Sequence, residues 1–204
     1  MGALSELAAD IEQRLADVES DRSALSEQLA ARERQISQLM NLYVATYQLH
    51  STLDVGEVKA TIGEIASNVL GAEHYALLFW KPDGSACEIA LHQGLEEDAS
   101  YKDGLYSGGD AAVDATLSDG VMRMGPIDGS SALAVVPLTV QAQTMGALVI
   151  NKLLDHRPPF GGEDREVLDL LAAHAASALV AAGSYSNADR KVKSLRSVIE
   201  LVSR

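Results

Sequence analysis

The side chains best equipped for metal or nucleophilic chemistry in this sequence are five histidines, His50, His74, His92, His156 and His174, and one cysteine, Cys87. Their spacing argues against both chemistries. No two histidines stand four apart, the spacing that sets two imidazoles on one helical face, so no metal site or haem ligand is expected. Cys87 has no Lys, Arg or His within two residues to lower its pKa, and a single thiol cannot turn over through an intramolecular disulfide. It reads as a small strand residue. His50 lies in Leu49-His50-Ser51-Thr52, superficially a phosphoacceptor helix, yet no Gly-rich or Asn-containing ATP motif follows it. Residues 104–110, from Gly104 to Asp110, are rich in glycine but lack the preceding strand and following Lys-Ser/Thr of a phosphate loop. No Gly-x-Ser-x-Gly is present either. A non-catalytic protein without a cofactor is the expectation.

Charge narrows the partners. A net charge of −13 repels phosphate backbones and anionic lipid, and no basic block offsets it, so neither nucleic acid nor membrane surface is an expected partner. The apolar fraction of 47% is enough for a sizeable core. The N-terminus lacks a signal-peptide pattern, and the apolar stretch from Leu170 to Gly183 is short for a bilayer. With one cysteine, a cytoplasmic location is expected.

The elements that must position any site divide into three segments. Residues 1–50 contain no proline and carry apolar residues at Leu4, Leu7, Ile11, Leu15, Val18, Leu25, Leu29, Ile36, Leu39 and Tyr43. From Leu15 the steps alternate three and four when Arg22 and Arg32 occupy seam positions, which predicts a coiled-coil dimerisation helix. Leu15, Val18, Leu25, Leu29, Ile36 and Leu39 form its dimer seam, expected to hold a parallel homodimer. Asp54 with Glu57 is a capping box opening a helix that ends at Gly71. Strands are predicted for Tyr75–Trp80 and Cys87–Leu91, joined by Lys81-Pro82-Asp83-Gly84, and for Leu133–Val140 and Met145–Leu153. Between them, residues 93–120 are weakly periodic apart from a helical piece from Ala111 to Leu117, and Val121–Met124 is a short strand candidate. A helix follows from Glu163 to about Ala182. A second heptad series, Ala181, Tyr185, Ala188, Val192, Leu195, Ile199 and Val202, then leaves the domain, weakened by Gly183 and Asn187.

The order helix, Leu53-Asp54, helix, strand, turn, strand, variable middle, Val135-Val136-Pro137-Leu138, Met145-Gly146-Ala147-Leu148-Val149-Ile150 and Phe160-Gly161-Gly162-Glu163-Asp164 resembles the GAF family. The resemblance implies an α/β domain with a central antiparallel sheet flanked by helices: terminal helices on one face, a ligand cavity on the other. It also implies dimerisation and signalling through the terminal helices. The resulting organisation is a coiled-coil helix over 1–50, a GAF-like domain over 51–183 and a C-terminal helical extension over 184–204.

Asn151-Lys152, Phe160 and Asp164 are similar to a signature of cyclic-nucleotide phosphodiesterase GAF domains, with Arg165 where that family has Glu. The residues themselves favour a plainer role, a salt bridge between Lys152 and Asp164 that pins the last helix to the sheet. The cysteine–histidine pair of bilin-binding members is missing. Any small ligand should lie under residues 104–110, with Trp80, Tyr101, Tyr106, Asp110, Asp114 and Arg123 as stacking and hydrogen-bonding groups. The segment between Met124 and Leu133 is short for a cavity cover. The expected function is therefore a homodimeric regulatory module that binds a partner protein or serves a fused effector. The alternative is a small-molecule sensor, possibly for a nucleotide.

Overall fold

A computed structural model describes residues 2–81, 83–95, 99–101 and 103–202. Pro82 and the side chains of Leu4, Leu7, Leu195, Ile199 and Val202 lie outside those described. The chain forms two compact units, Met1–Asn41 and Leu42–Arg204.

Helix α1, Gly2–Leu49, is 48 residues long because nothing in its interior breaks it. In the first unit its side-chain pairs are local and exposed, Arg14 with Asp10 at 3.0 Å and Gln13 with Asp17 at 3.1 Å. Such pairs contribute only a few tenths of a kcal/mol each. The seam residues find no cover within the chain: Leu15 is 56% exposed, Leu25 and Leu29 58%, and Val18, Ile36 and Leu39 at least 60%. The last two turns behave differently, since Leu42, Ala45 and Leu49 are buried in the globular core. The unit boundary therefore falls at 41/42 rather than 50/51.

Helix α2, Val55–Asn68, is capped by Asp54, whose Oδ1 accepts from Glu57 N at 2.9 Å. The capping box closes through an intermediary: Thr52 Oγ1 accepts from Asp54 N at 3.1 Å and donates to the Glu57 carboxylate. The strands that follow are β1 Ala72–Trp80, β2 Cys87–Gln93, β3 Leu105–Tyr106, β4 Arg123–Met124, β5 Ala134–Val140 and β6 Gln143–Leu153. They form one antiparallel sheet in the order β3-β2-β1-β6-β5-β4. A single 3-10 turn, Ala99–Tyr101, precedes β3, and α3, Ala111–Asp119, lies between β3 and β4.

Alternation along the strands divides the core. Tyr75, Leu77, Ala134, Val136, Leu138, Leu148 and Ile150 face the end of α1, α2 and α4, Gly162–Val202. Ala76, Leu78, Val135, Ala147 and Val149 face α3. With both faces covered, β1 reads as an unbroken apolar run. The hairpin between β5 and β6 turns on Gln141 and Ala142, at φ 50° and 64°, the left-handed pair that matches strand twist.

Helix α4 joins the final domain helix to the weakened heptad series expected beyond Gly183. It is one helix of 41 residues running through Gly183 and Asn187, so 184–204 is no separate element among the described residues. An interior glycine costs about 1 kcal/mol, which a long helix tolerates. This continuity also makes Asp164–Lys193 long and apolar enough to cross a bilayer, contrary to the expectation from Leu170–Gly183. Leu168, Leu171, Ala172, Ala175, Ala176, Ala178 and Ala182 are instead spent on the sheet.

Candidate functional site

The α3 face brings together four of the six ligand candidates, and their hydrogen bonds are turned inward. Asp110 is the N-cap of α3: Oδ1 accepts from Ala112 N at 3.0 Å and Val113 N at 3.1 Å, while Oδ2 accepts from Ser131 N at 3.0 Å. Its own N–H donates to the Tyr106 hydroxyl at 3.2 Å, which donates to Asp114 Oδ1 at 3.0 Å. Asp114 Oδ2 in turn accepts from Gly109 N at 3.0 Å. Burial pushes the Tyr106 phenol far above its usual range, with the Asp114 carboxylate adding to the effect. The Tyr101 ring packs against that of Tyr106 at 5.4 Å between centroids. This ring of bonds fastens the 104–110 loop and the 129–131 loop to the start of α3. It is a structural clasp.

The other two candidates do not join it. Arg123, on β4, makes a two-pronged pair with Asp119 at 2.9 and 2.6 Å and also donates to Thr116 Oγ1 and Val121 O. That guanidinium, followed by the Val121 N–H, holds the Asp119 carboxyl down at about 2. Trp80 ends β1 and is 38% exposed. Beneath the clasp, Leu95, Ala112, Val113, Leu117 and Ala132 are buried against the sheet face where a ligand cavity was expected. An apolar void of about 20 Å³ lies on the opposite face, lined by residues including Leu49, Ile62, Leu70, Val136, Leu168 and Leu171. Its volume is that of roughly one water, and nothing polar lines it to hold one.

The expected Lys152–Asp164 salt bridge is not formed. Lys152 pairs with Glu73 on the neighbouring strand at 2.8 Å, which lowers the Glu73 carboxyl and raises the Lys152 ammonium. Asp164 instead accepts from Arg157 Nη2 at 2.8 Å and Gly161 N at 2.7 Å. The start of α4 is pinned by the preceding loop rather than by β6. Asn151, from the same signature, donates to Ser131 Oγ at 2.9 Å.

Cys87 is buried, and burial first, then Glu88, pushes its thiol up to about 11. Among the described residues no group of three or more His, Cys, Asp or Glu is placed to hold a metal ion. The fold does create one pair that spacing concealed. His50 Nε2 and His174 Nδ1 lie 3.4 Å apart, with the rings edge to face.

One antiparallel sheet between a layer of helices on one face and a short helix on the other defines an α/β domain. Residues 54–180 match the GAF domain family, and the chain belongs to it. No curated protein matches the chain significantly. Among solved structures, the GAF domain of an Acinetobacter phosphoenolpyruvate-protein phosphotransferase is 12% identical with a TM-score of 0.60, covering 74% of this chain and 98% of that one. The GAF domain of the potassium sensor histidine kinase of Escherichia coli is 19% identical with a TM-score of 0.53, over 74% and 98%. Residues 122 to 287 of a methyl-accepting chemotaxis protein are 17% identical with a TM-score of 0.55, over 69% and 98%. GAF domains thus occur in signal-transduction proteins.

Proposed function

We propose that the chain is a non-catalytic, cytoplasmic signalling module that works as a parallel homodimer and passes signals between its terminal helices and a partner protein or fused effector. The observation that carries this reading is the exposed seam of α1. Six aliphatic side chains of Leu, Val and Ile at heptad spacing stand at least 56% exposed. Burying each such side chain is worth about 1.5–3 kcal/mol, and a second copy in register offers the same stripe in return. The long helices that enter and leave the domain share one face of the sheet, through Leu42, Ala45 and Leu49 of α1 and Leu168 to Ala182 of α4. A change in their packing is therefore felt directly by the core. The sensor reading has less support, because Tyr106, Asp110 and Asp114 spend their polar atoms on one another and on backbone. The buried, proton-holding Cys87 favours the absence of thiol chemistry.

Analytical ultracentrifugation tests the assembly: the wild-type chain should sediment as a dimer and Leu25→Asp/Leu29→Asp as a folded monomer. A double variant that stays fully dimeric removes the α1 seam from the interface. Native mass spectrometry of protein taken directly from cells addresses the sensor alternative, since a retained small molecule adds its mass to the dimer.

A further inference from the structure

We infer that His50 and His174, doubled by a second copy of the chain, form a site for a divalent transition-metal ion on the dimer axis; this rests on the parallel-dimer reading above. The two rings come from residues 124 apart, one just after α1 and one within α4. Their facing nitrogens, His50 Nε2 and His174 Nδ1, are 3.4 Å apart. Two imidazoles on a tetrahedral ion with Zn–N bonds of about 2.0–2.1 Å have nitrogens roughly 3.3–3.4 Å apart. The pair therefore already has the spacing of one edge of a tetrahedral ligand set. Without an ion, one ring donates its N–H to the other. With an ion, that proton moves to the far nitrogen of its own ring, and both lone pairs face the metal.

Two ligands are half a tetrahedral set, and the register of the coiled coil supplies the rest. Leu15, Arg22, Leu29, Ile36, Tyr43 and His50 follow one another at intervals of seven, so His50 continues the seam. The helical bonding pattern carries that far, because His50 N still bonds Thr46 O at 3.4 Å. In a parallel dimer the residues at one seam position face their own copies across the axis. His50 is exposed on the single chain, together with Tyr43 and Tyr47 at 69% and 70%. Dimerisation thus gathers two His50–His174 pairs around one point. Four neutral imidazoles suit zinc, nickel or copper and do not suit magnesium or calcium. An ion there would tie the last turn of α1 to α4 in both chains, at the junction where a signal must cross.

The test uses the full chain without an affinity tag, titrated with Zn²⁺ by calorimetry at pH 7.5 and sedimented with and without EDTA. The expected result is one ion per two chains. His50→Gln and His174→Gln should each weaken binding by about 100-fold or more, and His92→Gln should leave it unchanged. Co²⁺ should give the visible absorption of a tetrahedral nitrogen site in the wild type and not in His50→Gln. A wild-type dimer that binds zinc no more tightly than the His50→Gln/His174→Gln double variant, or takes one ion per chain regardless of it, overturns the site and leaves the dimer standing. A chain that sediments as a monomer in both buffers overturns the dimer, and the shared site with it.

Discussion

Gly146 sits where β6 crosses the centre of the sheet, opposite Phe79 on β1 and Leu138 on β5. A methyl group added there would stand 1.9 Å from the Leu78 carbonyl oxygen, 2.9 Å from its carbon and 3.0 Å from Phe79 Cα. A relaxed carbon–oxygen contact is roughly 3.3–3.6 Å, so the overlap exceeds 1 Å, and what it strikes is main chain. No rotamer change relieves it. Strands β1 and β6 must part, which forfeits about two ladder hydrogen bonds at ~1 kcal/mol each and adds about 1–3 kcal/mol of overpacking strain. Gly146→Ala should therefore cost about 3–5 kcal/mol, a large share of the roughly 5–15 kcal/mol that holds a domain together. At about 2–4 °C per kcal/mol for a chain of this size, the melting temperature falls by roughly 6–20 °C. Gly183→Ala is the paired control, because a Cβ there meets nothing within 4 Å. The same chemical change in an open helix should add ~0.5–1 kcal/mol. Thermal and urea unfolding followed by circular dichroism, at one protein concentration, reads both variants. A Gly146→Ala chain within 1 kcal/mol of wild type would refute the close approach of β6 to β1.

Three further expectations rest on other parts of the domain. Ala142 holds a φ of 64°, and Ala142→Gly should raise stability by up to ~1 kcal/mol, measured by urea denaturation; a loss would mean the turn is not left-handed there. Asp110→Ala removes both oxygens that accept from three N–H groups and should cost about 2–3 kcal/mol, with faster amide exchange at Ala112, Val113 and Ser131 in the same chain. Cys87, its thiol raised by burial from 9.0 to about 11, should carry roughly 100-fold less thiolate at neutral pH and label correspondingly more slowly than free cysteine. Because the folded state keeps this proton, the thiol contributes no pH dependence below about pH 9 and lowers stability as pH rises from there toward 11; Cys87→Ala should remove the loss between about pH 9 and 10, above which the buried Tyr106 phenol adds a decline of its own. Rapid labelling at pH 7 would contradict the burial.

The fold was legible where a pattern repeats. Asp54, the apolar run of β1 and the strand pair around Gln141-Ala142-Gln143 each carry local chemistry that permits one reading. The short elements were not. Strands β3 and β4 have two residues each, too few for alternation to register, and they exist because β2 and β5 offer them edges. The heptad series beyond Gly183 was expected to be weakened there, because glycine and asparagine are weak helix formers, and it continues α4 without a break. Propensity is a small term, and in α4 no capping residue or proline stops the turn at that point.

The site residues were harder, because their partners are set by the fold rather than by distance along the sequence. Lys152 was paired with Asp164, which is near in sequence, whereas the register of β1 on β6 sets His74 beside Lys152 and so brings Glu73 within reach. Tyr106, Asp110, Asp114 and Arg123 were singled out by position, as polar groups around a glycine-rich stretch that would cover a ligand. The same composition serves a clasp, because a loop crossing a sheet face must bond its own backbone N–H groups, and nearby carboxylates do so first. The histidines carry the lesson furthest. A spacing rule sees ligands on one helix or one hairpin and is blind to a contact between residues 124 apart. It is equally blind to a second chain. The heptad count that would put His50 on the proposed seam is in the sequence, but its nearness to His174 appears only once α4 is folded back against the end of α1. For a domain whose polar loop residues are committed to structure, the chemistry left to find lies where its long helices meet.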